Sequence, residues 1–258
     1  SYSAWVNLMN GLRDKVILVT GAASGLGYAD AEFLTESGAT VVMTDINEDS
    51  GKAVADRLGN LFLGQNVADE HRWSEVMSEI RDRFGRLDGL VNNAGIAPIA
   101  DIETTTTEVW RQTLAVHLDG TFFGCQTALR LMKESGGGSI VNMSSTAALI
   151  GIPDYLAYSA AKGGIRSMTK AIAVHCRRQK LQIRCNSVHP GSINTPMVQN
   201  AVKDLMNIEL DPNDEKKRKA MGIGEPRDVA AMVAYLLSDE SKHVNGTEMV
   251  VDNADTIV

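Results

Sequence analysis

The run Lys15-Val-Ile-Leu-Val-Thr20 passes without a break into Gly21-Ala-Ala-Ser-Gly25-Leu-Gly27. A helical stretch follows, Tyr28 to Ser37, closed by Gly38. Apolar and largely β-branched, the first segment has the pattern of a strand buried on both faces. A second such run, Thr40-Val-Val-Met-Thr44, ends at Asp45. Strand, helix and strand in succession make a parallel βαβ unit, which commits the chain to a sheet with helices packed against it. Glycines at the strand-to-helix turn let backbone N–H groups and the positive helix end face an anion. Their spacing, G-x-x-x-G-x-G, is not that of the commonest dinucleotide fingerprint. Most glycine-rich turns bind nothing. Here the preceding strand, the following helix and the acid ending the next strand point to a pyrophosphate.

Asp45 bears on which dinucleotide that is. A carboxylate at this point accepts hydrogen bonds from the adenosine ribose and repels a 2′-phosphate. Neither Ala22-Ala23-Ser24 nor Ile46-Asn47 offers an Arg or Lys to pair with such a phosphate. The expected cofactor is NAD rather than NADP. Asn47 is available to cap the next helix, which leaves Asp45 free for the ribose.

Further strand-like runs are Leu61–Leu63, Leu87–Val91, Ser139–Met143, Ile183–Val188 and Thr247–Asp252, with helical stretches between them. The expected fold class is α/β. It is a single-domain, doubly wound parallel sheet of seven strands with helices on both faces, spanning 1–258. Ligands in such sheets bind at the carboxyl ends of the strands. Gly21, Asp45, Asn92-Asn93-Ala94-Gly95, Ser145 and Pro190-Gly191 each follow a strand directly, so they should converge on one edge.

Tyr158-Ser-Ala-Ala-Lys162 adds chemistry to that edge. Residues four apart share a helix face, and an ammonium beside a phenol favours the phenolate. A Tyr so tuned can pass a proton near neutral pH, and Ser145, arriving from a strand end, can hold an oxygen in front of it. Those parts suit interconversion of an alcohol and a carbonyl. Alone, a Tyr-x-x-x-Lys is easily a coincidence.

The charge balance excludes several other roles. Net charge is −7, which argues against nucleic acid or an anionic membrane as partner. Lys216-Lys217-Arg218-Lys219 follows Asp211, Asp214 and Glu215, and reads as a solvated helix face. Cys125, Cys176 and Cys185 have no metal-like spacing, so no metal is expected and the thiols are read as reduced, in a cytoplasmic protein. The start, Ser1-Tyr-Ser-Ala-Trp5, lacks the pattern of a signal peptide, and no apolar run approaches the roughly 20 residues of a membrane span.

Together these residues resemble the short-chain dehydrogenase/reductase family. The matching motifs are Thr20-Gly21-x-x-x-Gly25-x-Gly27, Asp45, Asn92-Asn93-Ala94-Gly95, Ser145, Tyr158-x-x-x-Lys162 and Pro190-Gly191-x-Ile193-x-Thr195. They occur in family order over nearly the whole chain. Asn194–Gln199 and Val251-Asp-Asn253 look most like bacterial NAD-dependent hydroxysteroid and alicyclic secondary-alcohol dehydrogenases. The resemblance implies a Rossmann-like fold, a homotetramer, and a cofactor held by Gly21, Ser24, Gly25, Leu26, Gly27, Asp45, Ile46, Asn93, Ala94 and Gly95. Asn66-Val67 would meet the adenine, where the family usually has Asp-Val. Pro190, Gly191, Ile193 and Thr195 would meet the nicotinamide. A second departure is His117, in Val116-His-Leu-Asp-Gly120, where the family has an asparagine that supports a proton-relay water. Either His117 titrates in that relay, adding an ionisation near pH 6 to 7, or it fills the volume and bonds a backbone group.

By the same resemblance, Tyr158 takes the hydroxyl proton and Ser145 holds the substrate oxygen. Lys162 lowers the tyrosine pKa and holds the nicotinamide ribose. Tyr155 is not the base, because residue 159 is Ser; it is expected to line the substrate pocket with Met197 and Met206. Residues 1–12 read as an N-terminal extension, and about 195–222 as an amphipathic substrate lid. Leu149, Ile150, Ile152 and Pro153 add apolar surface, and no Arg stands near to grip a carboxylate. A hydrophobic, cyclic secondary alcohol, or its ketone, is therefore the expected substrate. The alternatives are a 3-oxoacyl-thioester reductase and a non-catalytic NAD-binding sensor.

Overall fold

The computed structural model describes residues 11–257. The expected N-terminal extension, as far as residue 10, and the start read for a signal peptide lie outside the described residues. Seven parallel strands form one sheet in the order β3-β2-β1-β4-β5-β6-β7. They are β1 Val16–Thr20, β2 Thr40–Asp45, β3 Leu61–Gly64, β4 Gly89–Asn92, β5 Gly138–Met143, β6 Ile183–Pro190 and β7 Glu248–Val251. The expected sheet is thus present, with strand ends shifted by a residue or two.

Alternate residues of a strand point to opposite faces, and each face has its own core. Ile17 and Val19 pack with Val41 and Met43 against α1 (Gly25–Glu36) and α9 (Pro226–Leu237). Val16 and Leu18 pack with Val42 on the other side, under Trp73 of α3 (Glu70–Phe84) and Leu131 of α5 (Gly120–Glu134). Continuous burial of β1 on both faces explains its unbroken apolar run.

Helix α1 begins at Gly25, not at Tyr28 as the sequence suggested, so the second half of the glycine turn is itself the first helical turn. Ser24 stands at its N-cap yet makes no side-chain cap, and its first turn holds no acid. The next two helices differ: Asn47 caps α2 (Glu48–Leu58), as expected, and Asp69 caps α3.

Inside the sheet, polar groups mark the pairing of β4 with β5. Asn92 Nδ2 donates to Asn142 Oδ1 at 2.9 Å, and Asn142 Nδ2 donates to Thr169 Oγ1 at 3.0 Å. The two asparagines are register partners. Cys125 and Cys185, far apart in the chain, both lie against Asn142 at 3.4 and 3.5 Å. All three cysteines are free and buried.

After β6 come α7 (Pro196–Met206) and α8 (Glu215–Ala220), capped by Thr195 and Asp214. No residue of α7 is buried, and Leu205 and Met206 are open to solvent. The buried Arg218 side chain ties this stretch down by bonding Glu225 and the Pro212 carbonyl. The remaining helices are α4 (Thr107–Leu114), continued into α5 by a π-helical turn at Ala115–Asp119, and α6 (Leu156–Arg178). Among the described residues, no helix is long and apolar enough to cross a membrane.

Candidate active site

A cleft of about 400 Å³ opens at the carboxyl ends of the strands. Gly21, Asp45, Asn93, Ser145 and Pro190 all reach it, each from the carboxyl end of a different strand or just past it. The expected catalytic and cofactor residues all line this cleft except Gly27 and His117; of the expected pocket residues Met197 lines it, and Tyr155, Met206, Leu149, Ile150, Ile152 and Pro153 do not. Gln65, Ile96 and Gln112 also line it, and the sequence did not single them out. A larger cleft of about 820 Å³ lies at the opposite sheet edge, among Lys15, Arg86, Arg177, Lys180 and Lys242. Cations at the carbonyl ends of helices such as α6 complement the helix dipole, so that cleft needs no ligand to explain it.

The turns after β1 and β4 are stitched together. Thr20 Oγ1 accepts from the backbone N–H of Asn93 and of Ala94, both at 3.1 Å. Asn93 Nδ2 donates to the Thr20 carbonyl at 3.1 Å. Gly27 stays behind the wall: a Cβ there would collide with the Gly21 carbonyl oxygen and the Asn93 amide, so only glycine lets α1 pack this close. The uncapped N-terminus of α1 presents unpaired N–H groups to the cleft, which is the donor set a pyrophosphate needs. Asp45 is oriented by two backbone donors, Ala23 N–H at 3.0 Å and Asn47 N–H at 2.9 Å. Its remaining lone pairs are free for ribose hydroxyls. The residues present therefore fit a dinucleotide. Asn66 Oδ1 accepts from Ala68 N–H at 3.0 Å and keeps its Nδ2 unbound.

At the inner end, β5 and α6 clamp each other. Lys162 Nζ donates to the Met143 carbonyl at 2.7 Å, and Ser144 Oγ donates to the Lys162 carbonyl at 3.0 Å. Ser145 Oγ accepts from Ala147 N–H at 3.1 Å, and Ser145 and Tyr158 line the same cleft. The Lys162 ammonium lies 5.3 Å from the centroid of the Tyr158 ring.

The electrostatics correct one expectation. Burial pushes the Tyr158 phenol up from its ordinary value, while the hydrogen bond with Ser145 pulls it the other way. The net direction is upward, where the sequence suggested a drop. The same burial brings the lysine down to about 7, because no carboxylate compensates its charge. Two desolvated groups of this kind both move toward their neutral forms.

His117 resolves against titration. Burial, with help from Lys162, lowers its pKa to about 3. Its Nε2 meets the Ile96 backbone, 3.0 Å from the N–H and 2.6 Å from the carbonyl oxygen. The ring packs edge-on to Tyr158 at 5.3 Å and fills the space that the missing Cβ of Gly95 leaves. Burial and the Ile96 contact favour the second expectation for His117, volume and a backbone bond, over titration near pH 6 to 7. Tyr155 packs edge-on to Tyr158 at 6.0 Å without reaching the cleft wall, and Met206 is 57% exposed.

Known proteins share this arrangement. A family model described as enoyl-(acyl carrier protein) reductase matches residues 21–253. An NADP-dependent (R)-specific alcohol dehydrogenase from Lentilactobacillus kefiri is 41% identical over 95% of this chain and 98% of its own. The chain belongs to the short-chain dehydrogenase/reductase family. A 3-beta-hydroxysteroid dehydrogenase of that type from Comamonas testosteroni is 39% identical over 96% of this chain and 98% of its own. Among solved structures, levodione reductase matches with a TM-score of 0.84 and 34% identity, over 95% of this chain and 98% of that one. As a short-chain dehydrogenase, the protein is an oxidoreductase acting on CH–OH groups with a nicotinamide cofactor.

Proposed function

We propose that the chain is an NAD-dependent dehydrogenase that reversibly oxidises a hydrophobic, cyclic secondary alcohol to its ketone. The observation that carries this reading is the meeting of Ser145, Tyr158 and buried Lys162 on the wall of one cleft with Asp45, whose carboxylate is oriented for a ribose. Gly21, Ser24, Gly25 and Leu26 bind the pyrophosphate, and Asn66, Val67 and Ile46 flank the adenine. Asn93, Ala94, Gly95, Pro190, Gly191, Ile193 and Thr195 hold the nicotinamide half. The bound nicotinamide supplies the hydride acceptor. Tyr158, as phenolate, takes the alcohol proton, and Ser145 donates to the oxygen where charge develops. Lys162 in its charged form stabilises that phenolate.

NAD is favoured because both Asp45 oxygens are fixed by backbone donors and no cation adjoins them in the turn. The NADP dependence of the Lentilactobacillus relative makes this the first point to measure. Ile96, Val116, Met197 and Val198 give the substrate end an apolar wall, which suits a ring system. The hydroxysteroid relative supports that class. Segment 195–222 acts as the lid, with Met206 closing on the substrate. Phe122 and Val174, exposed on α5 and α6, and Val250 on edge strand β7 suit packing of identical copies into a homotetramer. Light scattering measures that assembly.

A 3-oxoacyl-thioester reductase is the second reading, favoured by the family model's description. The deciding screen runs alicyclic, terpenoid and steroid alcohols with NAD and NADP, beside an acyl thioester with each reduced cofactor. Tyr158→Phe should retain NAD binding and lose turnover by orders of magnitude; retained turnover would overturn the assignment. Because burial raises the phenol pKa, alcohol oxidation should climb toward alkaline pH, and ketone reduction, which uses the neutral phenol, should not.

A further inference from the structure

We propose that His189 is a positioning residue for Ser145, acting through a donor fixed by Ser187. This rests on the reading that Ser145 holds the substrate oxygen. The backbone ladder between β5 and β6 reaches Ser144, whose N–H bonds the Val188 carbonyl at 2.8 Å. It stops there, because Pro190 has no N–H to continue it. Ser145, one residue beyond, makes no ladder bond to β6. The side chain of His189 takes over: its Nδ1 lies 3.1 Å from the Ser145 carbonyl oxygen. That carbonyl also accepts from Ala148 N–H at 3.0 Å, so the two donors fix it from the turn and from the sheet.

The hydrogen bonds assign the tautomer. A carbonyl oxygen only accepts, so Nδ1 carries the proton. Nε2 lies 2.8 Å from Ser187 Oγ, and the hydroxyl must donate to it when the ring is neutral. The ring is fully buried, and burial lowers its pKa despite the Ser145 carbonyl and Glu248, which raise it. Arg166 and Lys162, the cations that face it, lower it further. The result is a chain of donors: Ser187 hydroxyl to His189, and His189 to the Ser145 backbone. Ser145 Oγ is then held on both flanks, by its own backbone and by Ala147 N–H. A displacement of about 1 Å in such a group can slow a reaction about 100-fold.

Two substitutions separate positioning from packing. In His189→Asn the amide sits near the place of Nδ1 and can still donate to Ser145. In His189→Gln it sits near Nε2, meeting Ser187 and abandoning Ser145. Each removes one buried hydrogen bond, so their unfolding midpoints should fall together. Alcohol turnover should separate them: His189→Asn keeps kcat within a few fold, and His189→Gln loses about 10- to 100-fold in kcat with KM for NAD unchanged. ¹⁵N spectra of histidine-labelled protein should show His189 protonated at Nδ1 and bare at Nε2 from pH 5 to 9. Equal kcat for the two variants, a loss confined to the KM for NAD, or a ring protonated at Nε2 would overturn the proposal. Ser145→Ala is measured alongside. If it keeps full turnover, the reading of Ser145 has failed; if it is inactive while the two His189 variants agree, only the role of His189 has.

Discussion

Asp30 is a carboxyl in the wrong medium, and that gives a stability prediction with a definite sign. It sits in the interior of α1, fully buried, and neither carboxylate oxygen has a hydrogen-bond partner. Burial holds its pKa well above the ordinary 3.8. Above that pH the unfolded chain has released a proton that the folded chain still binds, so stability falls as pH rises, until the folded value is passed. The slope is about 1.4 kcal/mol per pH unit. Asp30→Asn keeps the shape and does not titrate. The stability of the variant relative to the parent should therefore climb by about 1.4 kcal/mol per unit from near pH 4, or about 2.7 kcal/mol over two units. For a domain of this size that is a widening of roughly 5–10 °C in Tm. Urea unfolding followed by circular dichroism at several pH values measures the difference, and other titrating groups cancel in it. The amide introduces its own unpaired donors, which shift the two curves by a constant and leave the slope untouched. Parallel curves would refute the reasoning.

Lys162→Met should abolish turnover yet stabilise the fold at pH 7 and below. The parent lysine, at about 7 folded against 10.5 unfolded, binds fewer protons when folded, so parent stability recovers as pH rises across that window. The gap should close by about 1.4 kcal/mol per pH unit, read by denaturant titration. His117→Asn should leave the ionisations of the pH–rate profile between pH 6 and 7 unchanged. It should also improve resistance to acid, because a histidine at about 3 folded loses the protein stability as pH drops from 6.5 toward that value. An acid-unfolding curve identical to the parent's would contradict this. Asp45→Asn should shift cofactor preference toward NADP by about tenfold or more, the equivalent of one charged hydrogen bond, measured as the ratio of kcat/KM values.

Strands β1 and β2 were legible because each is built on an unbroken apolar run, and the glycine turn because it follows β1 without a spacer. What periodicity could not reveal was how charge behaves once buried. Tyr158 and Lys162 do share a helix face, as their spacing says. Sequence carries no measure of desolvation, however, and the expected drop in the tyrosine pKa came out as a rise. His117 was ambiguous for the same reason. Its partner, the Ile96 backbone, is brought to it by the loop after β4, and no local pattern encodes that approach. The start of α1 was missed because three glycines and a serine mimic a loop, although the turn is helical from Gly25 onward. His189 had no signal at all: it reads as one more residue of a buried strand.

The asparagine pair at the heart of the sheet has a consequence for assembly. Strands that are apolar on both faces look much the same to their neighbours after a slip of one or two residues, so hydrophobicity alone proofreads their alignment poorly. Asn92 Nδ2 and Asn142 Oδ1 can satisfy each other only when the two residues stand side by side. A misaligned β4–β5 pair would strand both in a dry interior, at about 1–3 kcal/mol for each orphaned group. Ser145 lies just three residues beyond Asn142, and Lys162 grips Met143 between them. A two-residue slip would carry the serine about 6.6 Å from the cleft that the β4 turn helps to form. The buried amides thus act as a key for catalytic alignment, and only correctly threaded chains can complete the site.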